Sequence, residues 1–287
     1  MIGKSKGYYC DGNGDVNEFG TGVEVGHVPA LGSDFSYTGS CTVIDDSNEV
    51  SGVQWRIKFL TSGVLKFTTE QMIDVFLVGG GGAGGPRHAG GKFPTYMYGG
   101  GGGGGYTKTS KLINLLANTS YSIVVGSGGS GTSYTSGGNT AGFNLTANGG
   151  NCGYGGTGAY ARKGGDGGSG GGAGGRFETA GSGHGYTNGS GGKDGGNGTD
   201  AEDTNKKYGI GQGTTTREFG EVGSTLYSNG GKGGYGTPGV VTNGSSNTGN
   251  AGSGGTSVRI SSGSGFEAKE MAGSGGSGIV IIRNHRE

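Results

Sequence analysis

Gly164-Gly165-Asp166, Gly167-Gly168-Ser169, Gly170-Gly171-Gly172, Ala173-Gly174-Gly175: read in threes, this stretch returns to glycine at a fixed period. Glycine supplies 79 of the 287 residues, about four times its average usage. Each glycine gives up more backbone freedom on folding than any other residue. A chain so rich in it either stays unfolded or uses the missing side chains to bring backbones together. The period favours the second reading. Three residues per turn is the repeat of the polyproline II helix, which makes no internal hydrogen bonds. Its N–H and C=O groups need partners elsewhere. Neighbouring rods can supply them if no Cβ holds the rods apart, the same steric reason that admits only glycine at the collagen axis.

Outward from this run, other glycine-dense runs lie at 79–85, 99–105, 126–131, 148–158, 188–198, 228–236, 249–255 and 272–278. The first ordinary structure lies upstream. Val53, Trp55, Ile57 and Phe59 alternate with Gln54, Arg56, Lys58 and Leu60, the period of a half-buried strand. Thr61-Ser62-Gly63 reads as a turn. Leu65 and Phe67 continue on a second strand, and Ile73, Val75 and Leu77 form a third that runs into Gly79. Tyr121–Val125 and Ile279–Ile282 are strand-like too. The predicted fold class is mostly irregular or all-β: N-terminal strands followed by a bundle of polyglycine II helices linked by loops. The expected divisions are an attachment or oligomerisation segment over 1–50, a β-meander leading into the first rods over 51–125, and the glycine bundle over 126–287 with a closing strand at 279–283.

Composition sets bounds. The hydrophobic fraction is 29% and the charged fraction 15%, which alone would suggest disorder. But 21 basic and 21 acidic residues cancel, and Tyr, Phe and Trp remain at 9%. Only four prolines exclude collagen. Zero net charge, and no Arg followed by Gly-Gly, give no reason to expect nucleic acid. Met1–Gly7 has no apolar signal-peptide core, and Ile279–Ile282 is too short to span a bilayer. Cys10, Cys41 and Cys152 are odd in number and widely spaced. They read as free thiols, with a Cys10–Cys41 bridge as the alternative.

Motifs for chemistry are absent or uninformative. Gly-x-Gly-x-x-Gly matches in many places at this glycine density, and no helix follows any of them. Asp11-Gly12-Asn13-Gly14-Asp15 lacks the glutamate of a calcium loop, since Gly22 holds that position. His27, His88, His184 and His285 have no metal-ligand spacing. Nothing resembles a nucleophile elbow. The expectation is a non-enzyme without metal or cofactor.

The informative segments are the irregular ones. Segment 86–98 carries Arg87, His88, Lys92, Phe93, Tyr96 and Tyr98; segment 154–162 carries Tyr154, Tyr160 and Arg162; segment 176–186 carries Arg176, Phe177, His184 and Tyr186. Tyr, Gly, Ser, Asn and Arg form the mixture that antibody paratopes use. These thirteen residues are the receptor-binding candidates. The bland reading makes the same aromatics caps that keep water out of the rod bundle.

Trp55-Arg56-Ile57-Lys58-Phe59, Ile73-Asp74-Val75-Phe76-Leu77-Val78-Gly79-Gly80-Gly81-Gly82, Gly103-Gly104-Gly105-Tyr106-Thr107-Lys108, Tyr121-Ser122-Ile123-Val124-Val125-Gly126, Gly211-Gln212-Gly213-Thr214-Thr215-Thr216-Arg217-Glu218-Phe219-Gly220 and Gly278-Ile279-Val280-Ile281-Ile282-Arg283 together resemble the glycine-rich domain family of phage tail proteins and tail-fibre adhesins. The resemblance covers about 53–283. It implies a polyglycine II sandwich with variable loops that touch a host receptor, a cell-surface polysaccharide or protein. It further implies a virion part made in the host cytoplasm, other tail proteins as partners and no membrane insertion. Either a homotrimer, as tail fibres commonly are, or a self-satisfied single chain fits. No binding residue carries over from the family, because its loops are the variable part. A structural virion part without a ligand is the alternative. An ice-binding bundle would need a flat Thr or Ala face, and a bacterial matrix protein would need an export signal.

Overall fold

The computed structural model describes residues 8–10, 16–18, 27–47, 54–86, 88–89, 96–155, 163–175, 210–211, 216–234, 241–262 and 265–286. Its strands are β1 (Tyr8–Cys10), β2 (Val16–Glu18), β3 (Phe35–Tyr37), β4 (Cys41–Asp45), β5 (Trp55–Phe59), β6 (Gly63–Phe67), β7 (Gln71–Val78), β8 (His88–Ala89), β9 (Tyr96–Met97), β10 (Thr107–Leu115), β11 (Tyr121–Ile123), β12 (Thr140–Gly142), β13 (Leu145–Ala147), β14 (Thr256–Ser262), β15 (Gly265–Met271) and β16 (Ile279–Asn284). All described pairings between these strands are antiparallel. The only described helix is a single 3-10 turn, Glu218–Gly220.

A five-stranded sheet, ordered β10-β7-β16-β5-β4, packs against a three-stranded sheet ordered β11-β6-β3. Trp55, Ile57, Phe59, Ile73, Val75, Leu77, Val280 and Ile282 face Phe35, Leu65, Phe67 and Ile123 in one core. The alternation read in 53–78 is this core. The C-terminal half of strand β7 is apolar on both faces, because Phe76 and Val78 join Ile279 and Ile281 in a second cluster under Phe219 and Tyr227. The divisions at 50 and 125 do not follow the sheets. Strands β3 and β4, from within 1–50, pair with β6 and β5, and β16, from the chain's end, lies between β7 and β5. Cys41 is a free thiol, so the Cys10–Cys41 bridge is not made.

Three neighbouring strands of the five-stranded sheet continue directly into glycine segments. Strand β7 ends at Val78 and Gly79 begins one; Tyr106 ends another before β10; Gly278 ends a third before β16. Sheet spacing, about 4.8 Å between strands, therefore sets their starting positions.

The hydrogen bonds of segment 79–85 have a period of three. Gly79, Gly82 and Gly85 donate to the carbonyls of Tyr106, Gly103 and Gly100; Gly80 and Ala83 donate to Gly138 and Thr135; Gly81 and Gly84 donate to Gly276 and Gly273. Its carbonyls accept from three other segments, through Gly150 and Gly153, Gly252 and Gly255, and Gly129. Segment 98–106 behaves alike. It donates to 169–175, 249–255 and 148–155, and accepts from 79–85, 163–168 and 228–234. Each of these two segments is therefore ringed by six others. The outer segments bond to one another around both rings, which orders the set into three layers: 135–139, 148–155 and 163–168; then 126–131, 79–85, 98–106 and 169–175; then 272–278, 249–255 and 228–234. Residues 242–245 add a strip outside the third layer, through Gly244 to Ser274 and Ser253 to Thr242.

This explains which glycines run unbroken. Segments 79–85 and 99–105 are almost pure glycine because they have neighbours in every direction. A Cβ at Gly102 would stand between the carbonyls of Gly82 and Ala83, 2.6 Å from the latter oxygen, with only backbone in the way. Outer segments need glycine only where they face inward. Segment 148–155 keeps Gly150 and Gly153 toward 79–85 and turns Asn148, Asn151 and Tyr154 to solvent. The opening run, 164–175, is one correction to the sequence reading. It is not a single rod: it bends at 167–169 and returns beside itself, with Gly171 donating to Gly165. Residues 259–271, which in the sequence read as an irregular charged connection between glycine runs, are another. They belong to the hairpin β14–β15, whose alternation at Val258 and Ile260 was masked by flanking glycine.

Segment 216–228 covers the outer face of the five-stranded sheet and is held there by charge. Arg56 bonds Asp46 and Glu218, and Lys58 reaches Glu218 at 3.2 Å and the Tyr227 hydroxyl at 3.0 Å. Arg283, buried, bonds Asp74 at 3.1 Å and Glu221 at 2.6 Å, and its guanidinium lies 4.1 Å from the Phe219 ring centre. Burial pushes the Asp74 carboxyl up, but bonds from His285, Arg283 and the Leu112 N–H outweigh it and hold it below the ordinary carboxylate range. Burial likewise opposes, and Arg56 and Arg286 outweigh, at Asp46.

Gly102→Ala is expected to cost about 3 kcal/mol or more, since overpacking against backbone has no side chain to displace, whereas exposed Asn148→Ala changes stability little; urea denaturation of both variants is the check. Because Asp46 and Asp74 titrate lower folded than unfolded, their contribution is present above about pH 4 and is lost as pH falls through their folded values. Stability is thus expected to drop between pH 7 and pH 3, with Asp74→Asn flattening that drop. Arg283→Met is expected to cost about 3–5 kcal/mol at neutral pH, because it leaves the Asp74 carboxylate buried without its guanidinium.

Candidate functional site

The layers have two different ends. At one end lies the sandwich. At the other, backbone bonds tie together the points where the chain leaves and re-enters the layers. Gly85 donates to Gly100, and Gly255 donates to Gly85. Tyr98 donates to Gly175, Gly99 to Gly255, and Gly100 to Tyr154. Tyr154 donates to Lys163, Gly175 to Gly234, and Gly234 to Gly99. Segments 86–97 and 156–162 therefore start and end on one patch, and 176–209, 235–240 and the hairpin-bearing 256–271 leave the layers from it. The first three, together with Tyr98 and Tyr154 at their roots, contain the candidates read from the sequence. Their roots are fixed by backbone bonds of 2.8–3.3 Å, so their sequences can change without disturbing the layers.

The described candidates divide. Tyr154 is 50% exposed at the root of 156–162, with the Lys163 ammonium 5.6 Å from its ring centre. Tyr98 is only 2% exposed; it closes the end of segment 98–106, as the bland reading has it, and offers no contact surface. His88 and Tyr96 stand on the paired strands β8 and β9, where His88 is opposite Met97 and Ala89 opposite Tyr96. Arg87, Lys92, Phe93, Tyr160, Arg162, Arg176, Phe177, His184 and Tyr186 lie outside the described residues. Sequence reasoning missed β14–β15 as part of this end. The signal was available in the sequence: Gly-Ser at 263–264 between two alternating runs reads as a two-residue hairpin connection.

At the sandwich end, a cleft of about 560 Å³ is lined by Asp45, Asp46, Arg56, Glu221, Arg283 and Arg286, among others. Its guanidinium groups are bonded to carboxylates on the cleft's own walls. The arrangement fastens segment 216–228 rather than presenting free charge. Among the described residues no group of three His, Cys, Asp or Glu is placed to hold a metal ion. No described helix is long and apolar enough to cross a membrane.

A comparison with curated proteins found no match. The family comparison found one: residues 61–285 match the glycine-rich domain, which spans the strand-to-glycine junction at β7, every layered segment and the closing strand β16. The matched region covers well over half of the chain, and the protein accordingly belongs to the glycine-rich domain family.

Proposed function

We propose that this protein is a non-enzymatic adhesin of a phage tail tip or tail fibre. In this reading it recognises a host cell-surface polysaccharide or protein through the segments at the loop end. One observation carries the reading: five segments, three of them carrying the aromatic and basic candidates, leave the layers from one patch fixed by backbone hydrogen bonds. Rooting variable segments on a rigid base lowers the ordering cost of binding and leaves their sequences free to vary. The phage assignment itself rests on the resemblance of the strand-to-glycine junction and the Ile-Val-Ile-Ile ending. The sandwich end would then face the virion, with residues 1–50 and other tail proteins as the attachment, and the chain would be made in the host cytoplasm.

The layered segments are, in the same proposal, polyglycine II helices. The threefold return of their hydrogen bonds supports this. So does the absence of positive φ at the glycines of 79–85 and 99–105. An experimental structure is expected to place those glycines near φ −75° and ψ +145°; values near −140° and +135° would replace helices with strands.

Fluorescently labelled protein is expected to stain intact cells of a susceptible host, and a variant with 86–98 and 176–186 replaced by Gly-Ser is expected not to. If the folded parent stains no cell in a broad host panel, the adhesin reading fails and a structural virion part takes its place.

A further inference from the structure

The outer faces of the layers differ in what their polar side chains do. On the third-layer side, amides and hydroxyls serve the protein's own backbone. The Asn229 N–H donates to Asn250 Oδ1, the Ser274 N–H to Asn243 Oδ1 and the Thr242 N–H to Ser253 Oγ. On the first-layer side, Asn139 Oδ1 and Ser136 Oγ accept from the Gly149 and Cys152 N–H groups in the same way. Asn148 and Asn151 do not. Both are exposed, and among the described residues neither side-chain amide caps a backbone group.

These two amides share a row with a ring. Segment 148–155 turns Gly150 and Gly153 inward and Asn148, Asn151 and Tyr154 outward, so the three side chains stand about 9–10 Å apart along extended backbone. Segment 163–168 runs beside the row, since the Asn151 and Tyr154 N–H groups donate to the carbonyls of Asp166 and Lys163. The Lys163 ammonium is 3.7 Å from Asp166 Oδ2 and 5.6 Å from the Tyr154 ring centre. Asp166 Oδ1 is buried without a hydrogen-bond partner. The first layer thus presents one cation matched by one anion, a half-exposed ring and two uncommitted amides, and it contains no Leu, Ile, Val or Met.

We infer that this face of the first layer binds an extended neutral polysaccharide. The inference goes beyond the adhesin reading, because the face lies on the side of the layers and needs none of the loop-end segments. An amide both donates and accepts, as a sugar hydroxyl does, and a Tyr ring offers an apolar body with a polar tip to a sugar face. The spacing of the row suits a polymer that itself repeats at about the length of a disaccharide. Asp166 Oδ1 gives a hydroxyl, or a water bridging to one, an acceptor the fold leaves unused. A protein partner would be met by an apolar centre, which this face lacks. A polyanion would need an unmatched cation, and Lys163 has Asp166.

The test measures binding of the full chain to immobilised mannan, galactan, β-glucan, dextran and polygalacturonate, from about 50 to about 500 mM NaCl. Binding is expected to at least one neutral polysaccharide, with affinity changing less than about twofold over that salt range. The triple variant Asn148→Ala, Asn151→Ala, Tyr154→Ala is expected to lose about tenfold or more with its urea midpoint near the parental one. Lys66→Ala with Lys108→Ala, at exposed positions of the sandwich, keeps parental affinity. Binding to polygalacturonate alone, affinity falling about tenfold over that salt range, or equal loss in both variants overturns the inference. Binding kept in the triple variant but lost when 86–98 and 176–186 are replaced by Gly-Ser overturns it and leaves the adhesin reading standing, as does cell staining without binding to any neutral polysaccharide. Binding through this face without staining of any cell supports the inference and removes the adhesin reading. Absence of both removes both.

Discussion

Backbone-to-backbone hydrogen bonding in three directions, at distances no Cβ would allow, is the constraint on which the molecule depends. A sheet satisfies its backbone in two directions and covers its faces with side chains. Segments 79–85 and 98–106 have no such faces. Each residue donates to a neighbouring segment, most carbonyls inside the runs accept from another, and the direction turns with every residue. A buried polar group left unpaired costs about 1–3 kcal/mol, so the arrangement holds only while every neighbour is present and close. Glycine's entropic cost is offset by this near-complete pairing rather than by apolar burial.

The sandwich supplies what the layers cannot supply for themselves. Glycine segments without side chains have little to define their register. Strands β7, β10 and β16 have register, through opposing pairs such as Val78 with Thr107 and Ile279, and they hand it to the segments attached to them. The apolar pattern of one region thus sets the geometry of a region with almost no apolar pattern. The charged fastening of 216–228 by Arg56, Lys58 and Arg283 belongs to the same task, since that segment leads into 228–234 of the third layer.

Separation of the two ends follows from the same construction. Side chains that specify the fold are concentrated in the sandwich. The described backbone bonds at the other end tie the layers together at Gly85, Tyr98, Tyr154, Gly175, Gly234 and Gly255. Such an arrangement can carry very different loop sequences on one base, which suits recognition.

Much of the local structure was legible in the sequence. The alternation of Trp55, Ile57 and Phe59 determined a half-buried strand, and the passage from Leu77 and Val78 into Gly79 determined where side-chain packing gives way to backbone packing. Period-three glycine determined that backbones approach one another. Order among the glycine segments was not legible, because glycine carries no side chain to distinguish one neighbour from another. Only the tertiary structure decided that the two unbroken runs are central, that 164–175 folds back on itself, that β3 and β4 belong to the sandwich, and that Tyr98 is closed in while Tyr154 is open. Each of these depends on which backbone lies across a few ångströms of space, a relation between distant residues that no short stretch of this chain encodes.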